Sequence, residues 1–230
     1  MNLKAYITNI EPLGDEGLFK SLYDQMPEYR KDKIDRIKSE SDKRRSLAAG
    51  ALLLYGARLL GLSKLPEVIK GENGKPYFKD SSVFFNLSHS GERVMCVIGD
   101  TEAGCDIENA NRKYDMNVAK RFFPPSEVKA LEETLDEDEK KKLFFKLWTL
   151  KESFVKLKGD GLSRPLDSFS FKESCGKIVL VCDDDDRDYR FINRFTDDDY
   201  CYSVAFEGDF KEPEAEFIDP VKIRNYLYEA

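Results

Sequence analysis

The sequence predicts an α/β (α+β) protein made of two similar halves in one chain, residues 1–103 and 104–230. Helix-like and strand-like stretches follow one another in each part, and after Asn109 the pattern repeats in coarse form. Of the 230 residues, 41% are apolar, enough to bury a sizeable core. No letter-for-letter repeat links the halves, so the duplication is an expectation about structure and not about sequence.

Leu3 to Ile10 alternates as a strand does, and Asp15 to Met26 reads as a short amphipathic helix ended by Pro27. A basic stretch then leads into Ser46 to Leu60, SLAAGALLLYGARLL, apolar nearly all round and so a buried helix. Gly71 to Pro76 is a turn cluster. Val83 to Leu87 and Val94 to Ile98 read as strands flanking a polar turn at Ser88, His89, Ser90 and Gly91, and a third strand covers Ala103 to Ile107.

In the second half Val118 to Phe123 is helical, and Pro124-Pro125-Ser126 starts a helix over Glu127 to Leu135. Lys140 to Lys158 is a long helix. Strands are expected at Phe169 to Phe171, Lys177 to Cys182, Tyr189 to Phe195 and Tyr200 to Phe206, with the acidic runs Asp183 to Asp186 and Asp197 to Asp199 as hairpin turns. Neither run has the glycine and glutamate spacing of a calcium loop. Lys211 to Ala230 receives no assignment.

The net charge of −7 excludes a general nucleic-acid binder, which needs a basic footprint. The charge is uneven, however: Arg30 to Arg45 holds eight basic residues against four acidic ones. The five cysteines form no CxxC pair, and an odd number cannot close a disulfide set, so reduced thiols are expected. The N-terminal stretch lacks a basic region followed by a long apolar run, and no segment approaches the ~20 apolar residues of a membrane span. A soluble cytoplasmic protein with no membrane contact is the expectation.

Asp106 and Glu108 flank Ile107 in the strand-like GCDIE, where the two-residue period puts both carboxylates on one face. Such a pair invites a hard cation, yet taken alone it reads more readily as ordinary surface acids. In KLWTLKESFVKLKG, Trp148, Glu152 and Lys156 recur every four residues and share a helical face. An ordinary surface ion pair is the bland reading. The neighbours Phe144, Phe145, Leu147, Leu150, Phe154, Val155 and Leu157 require a mostly buried helix, where charges need partners. His89, in FNLSHSGE, is the sole histidine; it is either a loop residue without a role or a phosphate contact beside two hydroxyls. There is no GxGxxG, no complete P-loop and no GxSxG elbow.

In order, the motifs Glu72 to Pro76, Phe85 to Ser90, Gly104 to Glu108, Lys120 to Phe123 and Trp148 to Lys156 closely resemble the Sfp-type 4′-phosphopantetheinyl transferases, which activate surfactin synthetase and its relatives. Gly161 to Phe171 is also similar to the family's segment after the long helix, and the resemblance spans about Arg30 to Phe171. It implies two α/β halves in pseudo-twofold arrangement with coenzyme A in the cleft between them, the second half carrying the metal ligands. The implied reaction is attack of a serine hydroxyl of an apo acyl or peptidyl carrier protein on the β-phosphate of coenzyme A, releasing adenosine 3′,5′-bisphosphate.

Carried over by motif, Asp106, Glu108 and Glu152 would hold Mg²⁺, with Mn²⁺ as a possible substitute. Lys75, Ser88 and His89 would contact phosphate and nucleotide, joined by Pro76 and Lys151 in the coenzyme site. Arg30, Lys33 and Arg45 would bind the adenosine end with its 3′-phosphate, Ser46 adding a hydroxyl or backbone contact. Lys156 would neutralise charge, and Glu152 would accept the serine proton directly or through a water relay, with Asp106 completing the catalytic set. The sequence departs from the family pattern at Cys105, usually aliphatic, and at the rigid Pro124-Pro125. The runner-up is a non-catalytic module of the same fold that binds coenzyme A or a carrier protein. A different magnesium phosphotransferase is disfavoured by the missing P-loop. With both halves in one chain, a monomer is expected.

Overall fold

The computed structural model describes residues 2–183, 185, 187–208 and 212–229. In chain order the elements are β1 (Leu3–Asn9), α1 (Glu16–Asp24), α2 (Glu28–Asp35), α3 (Glu40–Leu59), β2 (Val68–Lys70), β3 (Pro76–Phe78), β4 (Phe84–Ser90), β5 (Arg93–Gly99) and β6 (Ala103–Asn109). They continue with α4 (Met116–Phe122), α5 (Pro125–Glu133), α6 (Glu137–Lys158), β7 (Phe169–Ser174), β8 (Lys177–Cys182), β9 (Tyr189–Phe195), β10 (Tyr200–Glu207), β11 (Ala215–Phe217) and α7 (Pro220–Glu229). The expected mixed α/β architecture is present.

Two sheets form the centre. One has strand order β11-β1-β5-β4 and the other β6-β10-β9, while β2-β3 and β7-β8 are separate hairpins. Strand alternation decides which side each residue serves. Leu3, Ala5 and Ile7 of β1 and Met95 and Val97 of β5 pack against Cys105, Ile107, Val204 and Phe206 of the other sheet. The intervening Tyr6, Val94, Cys96 and Ile98 pack instead against Leu47, Leu52 and their neighbours on α3. On the far side Ala205 meets Leu150 and Phe154 of α6. The layers therefore run α3, first sheet, second sheet, α6.

Both long helices begin earlier than the apolar pattern alone predicts, because polar caps extend them. Asp136 caps α6 by accepting from the amides of Asp138 and Glu139, and Ser39 accepts from Asp42 at the start of α3. Gly159, with φ of 73°, closes α6 in the left-handed conformation that favours glycine.

Three features differ from the sequence reading. The polar Ser88-His89-Ser90 segment is strand and not turn, since β4 runs through Ser90 and reverses at Gly91. The chain's end returns to the first half: β11 pairs in parallel with β1, and Ile223 and Leu227 of α7 join the α3 core. The Asp197 to Asp199 turn joins β9 to β10, whereas of the other acidic run Asp184 and Asp186 lie outside the described residues. Among the described residues no helix is long and apolar enough to cross a membrane.

Candidate active site

The site lies along the seam where the edge strands β4 and β6 of the two stacked sheets come together. β4 borders the first sheet and β6 the second. In an antiparallel edge strand every second amide points away from its partner. For β6, the amides of Cys105, Ile107 and Asn109 are taken by side chains of β4: Asn86 Oδ1 at 3.0 Å, Ser88 Oγ at 3.4 Å and Ser90 Oγ at 3.1 Å. Each serine hydroxyl then donates to a carboxylate, Ser88 to Asp106 at 2.7 Å and Ser90 to Glu108 at 2.6 Å. The two acids thus share one face of β6, as the spacing predicts, and both are anchored from the other half of the chain.

α6 supplies the opposing groups. Lys156 Nζ lies 2.6 Å from Asp106 Oδ1 and 3.0 Å from Ser88 Oγ. The close approach depends on Gly104, where a Cβ would stand 2.0 Å from the Ser153 carbonyl and 2.3 Å from the Leu157 amide. Burial opposes the Lys156 charge, but Asp106 and Glu152 more than offset it, so its pKa rises. Glu152 is pushed up by burial first and then by the charge of Asp106. Glu108 is raised by burial as well, with Ser90 and Arg112 working against the shift.

Whether these residues suit a divalent cation is decided by their free valence. Asp106 Oδ2 is buried without a hydrogen-bond partner, and Glu108 and Glu152 both feel the charge of Asp106. Hard oxygen donors with an orphaned atom and mutual repulsion fit a cation of the Mg²⁺ type. As placed, they do not close on one point: among the described residues no three His, Cys, Asp or Glu side chains form a metal-binding group, and the Lys156 ammonium occupies Asp106 Oδ1.

Trp148, Glu152 and Lys156 line a cavity of about 480 Å³ together with Lys75, Pro76, Leu87 and Phe122. The Gly71 to Pro76 turn of the first half reaches across to the end of α6. Lys75 Nζ donates to the Leu157 carbonyl at 2.8 Å and Asn73 Nδ2 to that of Gly159 at 3.1 Å, both favourable at a helix C-terminus. Burial lowers the Lys75 pKa.

The remaining expected contacts sit on the first half. Arg30 and Lys33 lie on α2, Arg45 and Ser46 on α3, and His89 near the end of β4. Arg30 is buried with its Nε unpartnered, as is the Ser46 hydroxyl. Arg45 is held by Asp42 at 2.6 Å and by the Gly91 carbonyl at 2.8 Å. The His89 pKa is lowered by surrounding protein and then by Arg45, Lys156 and Lys33, which places the imidazole in a cationic field reaching from α2 to α6. Burial, then Arg30 and Lys70, lowers Lys33.

Lys151 requires a correction. It is fully buried, 3.0 Å from Glu127, donating to the carbonyls of Leu166 and Phe169, with Phe169 4.4 Å from its ammonium. One residue along a helix turns the side chain by about 100°, so Lys151 points away from the cavity that Glu152 lines and is not available to a ligand. Glu127 in turn accepts from the Phe171 amide at 2.8 Å, tying the β7-β8 hairpin to α5 and α6. Asn86 and Ser90, the latter read only as a turn residue, were not assigned to the site, and neither was Glu127. The alternation of Asn86, Ser88 and Ser90 was the signal for the first two; Glu127 carried none.

A family profile described as the 4′-phosphopantetheinyl transferase superfamily matches residues 102–207, the segment holding β6 and α6. A 4′-phosphopantetheinyl transferase of Bacillus subtilis is 31% identical over 205 residues, covering 86% of this chain and 86% of that protein. The chain belongs to the 4′-phosphopantetheinyl transferase family. Within that family, psf-1 of Bacillus pumilus is 32% identical over 178 residues, 75% of this chain and 76% of that one. Sfp of Bacillus subtilis strain 168 is 44% identical over a shorter match of 102 residues, 44% of this chain and 45% of its own. The matched transferase segment contains Asp106, Glu108, Glu152 and Lys156, of which Asp106 and Lys156 pair at the seam.

Proposed function

We propose that this protein transfers the 4′-phosphopantetheine arm of coenzyme A to a serine of an apo acyl or peptidyl carrier protein. The observation that carries the reading is the meeting of Lys156, Asp106 and Ser88 beside a cavity lined by Glu152, within a chain of this family. Asp106, Glu108 and Glu152 are the residues to hold Mg²⁺. That ion, when bound, neutralises charge on the pyrophosphate.

The chain's own groups account for the rest. The basic side chains Lys33, Arg45 and Lys156, all of which act on His89, suit a ligand with phosphates on both the 3′ and 5′ sides of its ribose, the 3′-phosphate lying toward Arg30, Lys33, Arg45 and Ser46. In the transfer, the serine oxygen forms a bond to the β-phosphorus while the bridging P–O bond of the pyrophosphate breaks, so adenosine 3′,5′-bisphosphate leaves. The serine proton passes to Glu152, directly or through a water relay. Lys156 offsets the charge that develops on the phosphate oxygens.

In this reading the two walls of the cleft divide near residue 103, although β11 pairs with β1 of the first sheet and α7 packs on the α3 core. Both walls come from one chain, which supports action as a monomer. The test is release of adenosine 3′,5′-bisphosphate from coenzyme A, followed chromatographically with apo-carrier and Mg²⁺ present or withheld. Release that needs both supports the proposal; coenzyme A left intact under all conditions would overturn it.

A further inference from the structure

We infer that Ser90 is a positioning residue that fixes the Glu108 carboxylate for cation binding, acting from the opposite half of the protein. The inference rests on the proposed reading of Asp106 and Glu108 as cation ligands. A serine hydroxyl has one proton to give, and that of Ser90 goes to Glu108 Oε2 at 2.6 Å while its oxygen receives the Asn109 amide at 3.1 Å. The chain from amide to hydroxyl to carboxylate has a single direction, and each bond polarises the next.

The alternatives for holding Glu108 are weak. Its ion pair with Arg112, at 2.9 Å, involves a guanidinium with half its side chain in solvent, and exposed pairs fix little. Ser90 is buried on a strand, so its position is set by the backbone of β4. Two residues earlier, Ser88 makes the same arrangement with Ile107 and Asp106, which shows that the pairing follows strand register. Ser88 also receives Lys156, whereas Ser90 serves Glu108 without a lysine. Residues that orient a ligating carboxylate typically govern metal affinity by about 10- to 100-fold.

The test is Mn²⁺ binding to the protein with coenzyme A present and no carrier, read from the electron paramagnetic resonance signal of free Mn²⁺. Wild type, Ser90→Ala, Ser90→Thr, Glu108→Ala and the Ser90→Ala/Glu108→Ala double variant are compared. Ser90→Ala should weaken Mn²⁺ binding by about 10-fold or more, Ser90→Thr should restore it, and Ser90→Ala should add nothing once Glu108 is alanine. Wild-type affinity in Ser90→Ala, an equal loss in Ser90→Thr, or a full further loss in the double variant would overturn the inference while leaving the carboxylate reading intact. No Mn²⁺ binding by the wild type would overturn both.

Discussion

Lys156 and Asp106 form an ion pair of 2.6 Å at the seam between the two sheets, and the second oxygen of that carboxylate is buried without a partner. The pair places a cation and a free carboxylate oxygen side by side, next to the Glu152 cavity. Lys156→Met keeps the length of the side chain but removes its charge. Turnover should fall by about 100-fold or more, as when a preorganised charge donor is removed from an active site. Steady-state kinetics checks this, with circular dichroism confirming that the variant is folded.

The buried Lys151 and Glu127 form a structural pair rather than a ligand contact. Glu127→Leu leaves a buried ammonium without its counter-charge and should cost about 3–5 kcal/mol, whereas Glu127→Leu combined with Lys151→Met should recover much of that loss. Urea unfolding of the wild type and the two variants measures both values. Equal instability of the double variant would mean that the pair is valued for its hydrogen bonds to Leu166, Phe169 and Phe171.

His89 should titrate below the ordinary histidine range, because surrounding protein and the charges of Arg45, Lys156 and Lys33 disfavour its protonated form. A phosphate bound there reverses that influence and raises the pKa. By linkage the bound state then holds more protons, so adenosine 3′,5′-bisphosphate should bind more tightly as pH falls through the bound-state pKa. As the sole histidine, His89 can be followed by NMR titration with and without the ligand.

Gly104→Ala should prevent normal folding. Its new methyl would stand 2.0 Å from the backbone oxygen of Ser153, and a backbone atom inside a helix cannot swing aside as a flexible side chain does. Loss of soluble protein, or a large drop in melting temperature, is the expected result.

The parts of the fold legible in the sequence were those whose burial is one-sided and local. The four-residue recurrence of Trp148, Glu152 and Lys156 located the face of α6 that lines the cavity, and the two-residue spacing of Asp106 and Glu108 located their shared face on β6. Lys151 misled because neighbours in a motif point in different directions on a helix. Ser88 and Ser90 were read as turn residues because their polarity normally marks solvent, yet here it meets the open amides of β6. The pairing of β11 with β1 joins Ala5 to Ala215, a contact so distant along the chain that no local pattern announces it.

Intact-protein mass spectrometry of an apo carrier protein reads out the transfer itself. The carrier is incubated with coenzyme A, Mg²⁺ and either this protein or its Glu152→Ala variant. A gain of one phosphopantetheine per carrier that requires Mg²⁺ and is lost with Glu152→Ala is the predicted result. Carriers that stay unmodified by the wild type, while coenzyme A still binds it, would rule out the transfer and indicate a binding module of the same fold.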